Sequence, residues 1–241
     1  MMDPRMSIID ERLKNIDRII TVSGGKGGIG KSSIATMLAL TFAKEGKQVG
    51  LFDLDFSGPS DHIILGKKEF NFPEEEHGIF PPKVHGIKFM SIADYTKGKP
   101  ASFRGTDITN AILEILAITR WDELEYLIID LPPGISDTAL DTIRMIKRAE
   151  FIIATTPSKL TIQVVKNTIT FLQELKIPIL GVIENMKFAK SDFVSDEMEK
   201  MNVPLLAQIP YEFEYESAIG NLEKLYQTEF AKIMTDVSKK L

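Results

Sequence analysis

A chain of 241 residues, 44% of them apolar, is long enough to form one sizeable α/β domain around a substantial core. Its net charge of −5 advertises neither nucleic acid nor an anionic membrane surface, and a count of zero cysteines excludes disulfides, thiolate metal sites and cysteine nucleophiles. No apolar leader opens the sequence and no apolar run approaches ~18 residues, which predicts a cytoplasmic protein without stable membrane binding.

Residues 1–17 are polar, with Ile8, Ile9, Leu13 and Ile16 at near-helical spacing. They predict an N-terminal arm or short surface helix, ahead of a single domain over 18–241. An apolar strand over 19–22 comes next, followed by a glycine-rich stretch and a helix over 32–45 that Gly46 is placed to end. From Gly25 to Ser32 the stretch satisfies G-x-x-x-x-G-K-[ST], here flanked by the strand and helix that make the pattern meaningful. Glycines let successive backbone N–H groups turn inward around a polyphosphate, and the helix start adds its positive dipole end. Gly25, Lys26, Gly27, Gly28, Ile29, Gly30, Lys31, Ser32 and Ser33 therefore form the expected cradle of a nucleoside triphosphate. Lys31 supplies a charge to the outer phosphates, and the Ser32 hydroxyl suits a magnesium ion.

A buried strand over 48–55 delivers Asp53 and Asp55 at its C-terminal end, and their alternation predicts that they face opposite sides of it. One would point at the phosphates or their metal while the other organises the loop. Residues 66–86, with Glu74-Glu75-Glu76 and Pro73, Pro81 and Pro82, read as an irregular excursion before a strand over 87–92. A helix over 107–118 precedes the most apolar strand, 126–130, which ends on Asp130 and Leu131-Pro132-Pro133-Gly134. Asp130 fits the strand-end carboxylate that holds magnesium, directly or through water, and the stiff turn behind it suits sensing of the γ-phosphate.

The alternation continues with a helix over 138–147, strand 151–155, helix 159–175, strands 179–184 and 204–209, and a C-terminal helix over 222–240. The fold class is α/β: a mostly parallel twisted sheet with helices on both faces, of the P-loop NTPase kind. In such sheets ligands sit beyond the strands' carboxyl ends, so the three acidic loops are expected to converge. His62, His77 and His85 have no metal-ligand spacing and read as surface or turn residues. The C-terminal helix carries mixed charges opposite its apolar stripe, which fits packing on the sheet better than lying on a membrane.

The stretch Lys26-Gly27-Gly28-Ile29-Gly30-Lys31-Ser32 resembles the deviant Walker A of the MinD/ParA/nitrogenase-iron-protein superfamily, whose hallmark is the extra lysine at the position of Lys26. More narrowly, the chain resembles the Mrp/ApbC family of P-loop ATPases. The matching pieces are Asp53-Leu54-Asp55-Phe56-Ser57-Gly58-Pro59-Ser60, Phe103-Arg104-Gly105, Trp121-Asp122-Glu123-Leu124, Asp130-Leu131-Pro132-Pro133-Gly134 and Gly181-Val182-Ile183-Glu184-Asn185-Met186. They stand in family order.

The resemblance implies ATP and Mg2+ as ligands and a face-to-face homodimer in which Lys26 reaches the other subunit's nucleotide. It implies that Asp55 positions the attacking water and that Asp130 serves the magnesium with Ser32. Asn185 would bond the adenine edge, and the loop with Pro210 and Tyr211 would flank the base. Many members carry Cys-x-x-Cys after the Asn-Met pair, where thiolates bridge an iron–sulfur cluster. This chain has Lys187-Phe188-Ala189-Lys190-Ser191-Asp192-Phe193 there, and serine or aspartate does not replace a thiolate at a soft site. The expected function is a Mg-dependent, dimeric ATPase that assists metallocentre assembly for a protein client without a cluster on cysteines of its own. The competing readings are a MinD/ParA-like positioning switch and, more weakly, a small-molecule kinase or ligase.

Overall fold

In a computed structural model the described residues are 3–56, 58–70, 74–96, 106–134, 137–188 and 190–241. Phe103-Arg104-Gly105, Ser57, Pro73 and Ala189, singled out above, lie outside them.

Helix α1 (Arg5–Leu13) and strand β1 (Ile16–Gly24) come first, followed by α2 (Lys31–Lys44), β2 (Val49–Asp53) and the single turn α3 (Asp61–Ile64). The hairpin β3 (Glu74–Glu75) and β4 (Ile79–Phe80) precedes β5 (Lys83–Val84) and β6 (Ile87–Ser91). Next are α4 (Ala93–Thr96), α5 (Thr106–Ile118), β7 (Leu124–Asp130), α6 (Asp137–Met145) and β8 (Ala149–Thr155). Helix α7 (Lys159–Glu174), β9 (Ile179–Lys187), α8 (Phe193–Lys200) and β10 (Leu205–Pro210) alternate. The last three elements are α9 (Phe213–Ala218), α10 (Leu222–Leu225) and α11 (Glu229–Ser238).

Among the described residues eight strands form one sheet in the order β10-β9-β8-β1-β7-β2-β6-β5. Every neighbouring pair is parallel except β5 with β6, which run antiparallel at one edge. Side chains alternate across the sheet, so adjacent residues feed opposite cores. Ile19, Leu127, Ile129 and Ile153 join α1, α5, α7 and α8 on one face. Ile20, Ile128 and Ile152 join α2, α10 and α11 on the other. A sheet buried on both faces explains why β1, β7 and β8 read as near-continuous apolar runs rather than alternating ones.

Several elements differ from the sequence reading. Strand β2 ends at Asp53, so Asp55 lies in the following loop and the expected alternation of the two aspartates across a strand does not apply. The helix expected over 222–240 is two helices. Thr228 accepts a hydrogen bond from the Ala231 N–H, and the Glu212 carboxylate accepts from the N–H groups of Glu229 and Phe230 at 2.8 and 2.9 Å. Those orphan donors start a new helix at that point. Helices α8 and α9 and the single turns α3 and α4 go beyond the sequence reading. The excursion over 66–86 holds a hairpin and an edge strand. Within the expected arm, Ile9 and Leu13 of α1 are buried in the core beside α5, and β1 already begins at Ile16.

Candidate functional site

Strand register brings the acidic loops together. Val22 of β1 and Asp53 of β2 both stand opposite Asp130 of β7, so β2 and β7 finish level while β1 runs two residues further, to Gly24, into the glycine loop. The loops behind them are tied across the strand ends. Leu131 N–H donates to Val22 O at 3.1 Å, Gly134 N–H to Gly24 O at 2.9 Å, and Leu54 N–H to Asp130 O at 2.9 Å. The turn after β7 is thus anchored to the start of the glycine-rich loop.

In that loop Gly28 and Gly30 adopt φ of 75° and 85°, a left-handed backbone open to glycine at little cost. A Cβ on Gly30 would also stand 2.1 Å from Asn185 Nδ2. Ile29 is buried, whereas Lys26, Gly27 and Gly28 are exposed at the outer turn and Gly25 is buried against Val164. Lys31 opens α2 and is buried, with Ser32 and Ser33 half-buried behind it.

The Ser32 hydroxyl donates to Asp130 Oδ2 at 2.5 Å. Burial pushes the Asp130 carboxyl up to about 7, against the opposing pull of the Ser32 hydroxyl and the Lys31 ammonium. Asp53 is buried as well. Its Oδ1 accepts the Asp55 N–H at 3.0 Å and its Oδ2 accepts the Ser91 hydroxyl at 3.2 Å. Burial first, then the neighbouring Asp130, drives Asp53 well above the ordinary carboxylate range. Asp55 is half-buried and accepts the Gly58 N–H at 3.1 Å. Asp53 therefore holds the backbone of the loop, and Asp55 sits on it.

A third buried acid, Asp61, joins this group without having been anticipated. One oxygen from each of Asp53, Asp61 and Asp130 lies within 4.8 Å of the other two. Two residues past Pro59, Asp61 reads in sequence as an ordinary helix-start acid; only the D-x-D-x5-D spacing hints at more. His62 departs from expectation too. It is buried, with its ring edge-on to Phe70, while His77 and His85 take the left-handed turn conformation expected of them.

A cleft of about 370 Å³ lies over the loop, bordered by Gly27, Gly28, Gly30, Lys31, Ser32, Ser33 and Asp55, with Ser60, Met186 and Glu216 across from them. Asn185 is brought to the loop rather than to open space: it is buried and its Nδ2 donates to Ile29 O at 3.0 Å. Together with Ser33, Pro210, Tyr211 and Tyr215 it lines a cavity of only about 20 Å³, room for about one water. A purine enters there only if these side chains move. Tyr211 is exposed and stacks on Phe188 at 5.1 Å between ring centroids.

A strand, a loop with left-handed glycines and a helix that opens on lysine and serine, beside a level strand-end aspartate in a parallel sheet, define a P-loop NTPase. Solved structures agree. A nucleotide-binding protein of Archaeoglobus fulgidus in complex with ADP superposes with a TM-score of 0.80 at 31% identity, covering 93% of this chain and 95% of that one. The cell division ATPase MinD of Pyrococcus furiosus superposes at 0.69 over 93% and 98%; at 21% identity this likeness speaks for the fold alone.

The chain matches the ParA family, NUBPL iron-transfer P-loop NTPase, over residues 15–241 and belongs to it. An iron–sulfur cluster carrier protein of Rickettsia felis is 39% identical over 82% of this chain. A cytosolic Fe-S cluster assembly factor Nubp2 homolog of Anopheles gambiae is 38% identical over 72% of this chain and 70% of its own length. The match spans 63% of the Rickettsia protein and 51% of the similarly named one of Deinococcus radiodurans. Among the described residues no helix is long and apolar enough to cross a membrane.

Proposed function

We propose that the protein binds and hydrolyses ATP with Mg2+ as a homodimer and uses that cycle to assist iron–sulfur or other metallocentre assembly on a protein client. The observation that carries this reading is the Ser32–Asp130 hydrogen bond beside a buried Lys31, at the mouth of the glycine loop. The residues fit a hard cation: a hydroxyl and a strand-end carboxylate whose second oxygen, Asp130 Oδ1, is buried with no partner. When bound, Mg2+ supplies neutralising charge to the β- and γ-phosphates.

This chain's own groups do the rest. The N–H groups from Gly27 to Ser33 orient the phosphates, and Lys31 meets their charge from inside the fold. Asp55 aligns the attacking water from the loop after β2. The exposed Lys26 is free to extend toward a second copy's nucleotide and stabilise charge there at transfer. Asn185 would exchange its bond to Ile29 for the adenine edge, with Pro210 and Tyr211 closing over the base. Pro133 and Gly134, tied to Gly24, would carry the state of the γ-phosphate outward.

The names of the relatives support the cluster-assembly role, and the complete lack of cysteine gives it a particular form. Any cluster would be held by ligands of the client, and the ATP cycle would time its docking. Cytoplasmic residence fits the same reading. A membrane-positioning role finds less support, because Phe230, Met234 and Val237 of α11 are buried in the fold. Purified protein should bind ATP in a Mg-dependent way and turn it over slowly, and the Asp55→Ala form should stall with its client and retain it on affinity capture. The absence of both ATP binding and ATP turnover would refute the reading.

A further inference from the structure

Asp61 has no role in the function proposed above, yet it stands among the carboxylates of the cation site. It is wholly buried, and its Oδ1 accepts the Thr36 hydroxyl at 3.1 Å. Thr36 lies one turn beyond Ser32 on the same face of α2, so two hydroxyls of one helix hold two different acids, Asp61 and Asp130. Asp61 Oδ2 and Asp130 Oδ1 are both sealed from solvent and have no donor among the described residues. Leaving one such oxygen unmatched is costly, and two of them, on carboxyl groups of one cluster, call for a positive charge among those groups. Lys31 is the cation whose field reaches Asp130, one positive charge against three acids.

Three oxygens around one magnesium at ~2.1 Å can stand mutually at most about 3.6 Å apart, and around a larger ion at ~2.4 Å about 4.2 Å apart. The 4.8 Å limit on this triad therefore admits one ion to all three carboxylates, either directly after a contraction or through water. An all-oxygen donor set with no sulfur or imidazole in the triad selects a hard cation.

We propose that Asp61 completes a three-carboxylate cradle that takes up a hard divalent cation of the Mg2+ or Mn2+ class before the nucleotide arrives. It takes its location from the nucleotide site read above, and adds to it both a residue and an order of binding. In the nucleotide complex Ser32 and the phosphates would take over part of the cation's coordination. The third acid raises the charge that faces the ion without altering the glycine loop.

The test uses full-length, nucleotide-free protein stripped with a chelator, titrated with Mn2+ and followed by the electron paramagnetic resonance of the free ion. Wild type should bind one Mn2+ per chain, displaceable by Mg2+. Asp61→Asn, which keeps an oxygen for Thr36, should weaken that binding about 10- to 100-fold. Equal Mn2+ affinity of the two proteins would overturn the proposal. So would a wild type that binds Mn2+ only after nucleotide is added, a result that needs no variant to fold. ADP binding to the same samples is measured separately: nucleotide binding with Mn2+ affinity indifferent to Asp61 sinks this inference alone, whereas Mn2+ binding without nucleotide binding sinks the ATPase reading and leaves the cradle standing.

Discussion

The two ends of the nucleotide cleft are built on opposite plans. Where β1, β7 and β2 finish, three acids are buried and each already has a partner on one oxygen: Ser32 on Asp130, the Asp55 N–H on Asp53, Thr36 on Asp61. Where β9 and β10 finish, Phe188 and Phe213 are 76% and 70% exposed, and the Asn185 amide is spent on the glycine loop itself. One end is set before any ligand arrives. The other has to rearrange to receive one. A site of this kind gains its affinity from phosphates that meet fixed partners, and its response to the ligand from the end that moves.

Lys26→Ala and Asp55→Ala break the comparison at its chemical step. Each should slow ATP turnover on the order of 10³-fold in steady-state assays while nucleotide affinity stays near wild type. Wild-type turnover by Lys26→Ala would remove the role across the dimer assigned to that side chain.

Lys31→Ala strikes the preset end directly. Loss of a buried charge contact should weaken binding of a fluorescent ATP analogue on the order of 10²-fold. An affinity close to wild type would mean that the backbone cradle alone carries the phosphates.

The pH dependence of stability sharpens the contrast further. The unfolded chain releases the Asp130 proton near 3.8, whereas the folded, nucleotide-free chain keeps it to about 7. Between these values folding takes up a proton, so stability falls as pH rises, by at most about 1.4 kcal/mol per pH unit for this group. Asp53 and Asp61, raised in the same direction, add to the slope, and Lys31 opposes it for Asp130. Thermal melts of metal-free protein from pH 4 to 7 should therefore show a declining Tm, and Asp130→Asn should flatten the decline.

The smallest effect belongs to the open rim. Phe188→Ser removes an exposed ring stacked on Tyr211 and should change folding stability by no more than about 0.5 kcal/mol in urea melts. A larger loss would show that the rim is as preset as the phosphate end.

How much of this was legible in sequence depends on the range of the interactions involved. The glycine loop and Asp130 could be read because their letters state their geometry: left-handed turns need glycine, and an apolar run ending in aspartate marks a strand end. Family membership followed from those motifs and their order. The sequence pattern carries the strand on to Asp55 because Leu54 is buried and prolongs the apolar run past the last ladder pair. The break between α10 and α11 was hidden because part of its cap comes from Glu212, 17 residues upstream of Glu229. Helix α8 offers only Val194 and Met198 as a buried pair, too little periodicity to announce eight residues. Asp61 is not legible in the sequence because its neighbours in space include Thr36 and Asp130, 25 and 69 residues away along the chain.

The two borders of the sheet constrain how a pair of copies would meet. At one border stands a two-residue antiparallel strand, β5; at the other stands β10, irregular in register at two points and ending in Pro210. Neither border offers a long, regular row of amides for a neighbour to continue, and proline removes a donor where one would be needed. Joining two molecules into one extended ribbon is disfavoured from both sides. Contact through the loops that carry the glycines and Lys26 then remains open to a pair, and it is there that each molecule's chemistry would become the other's concern.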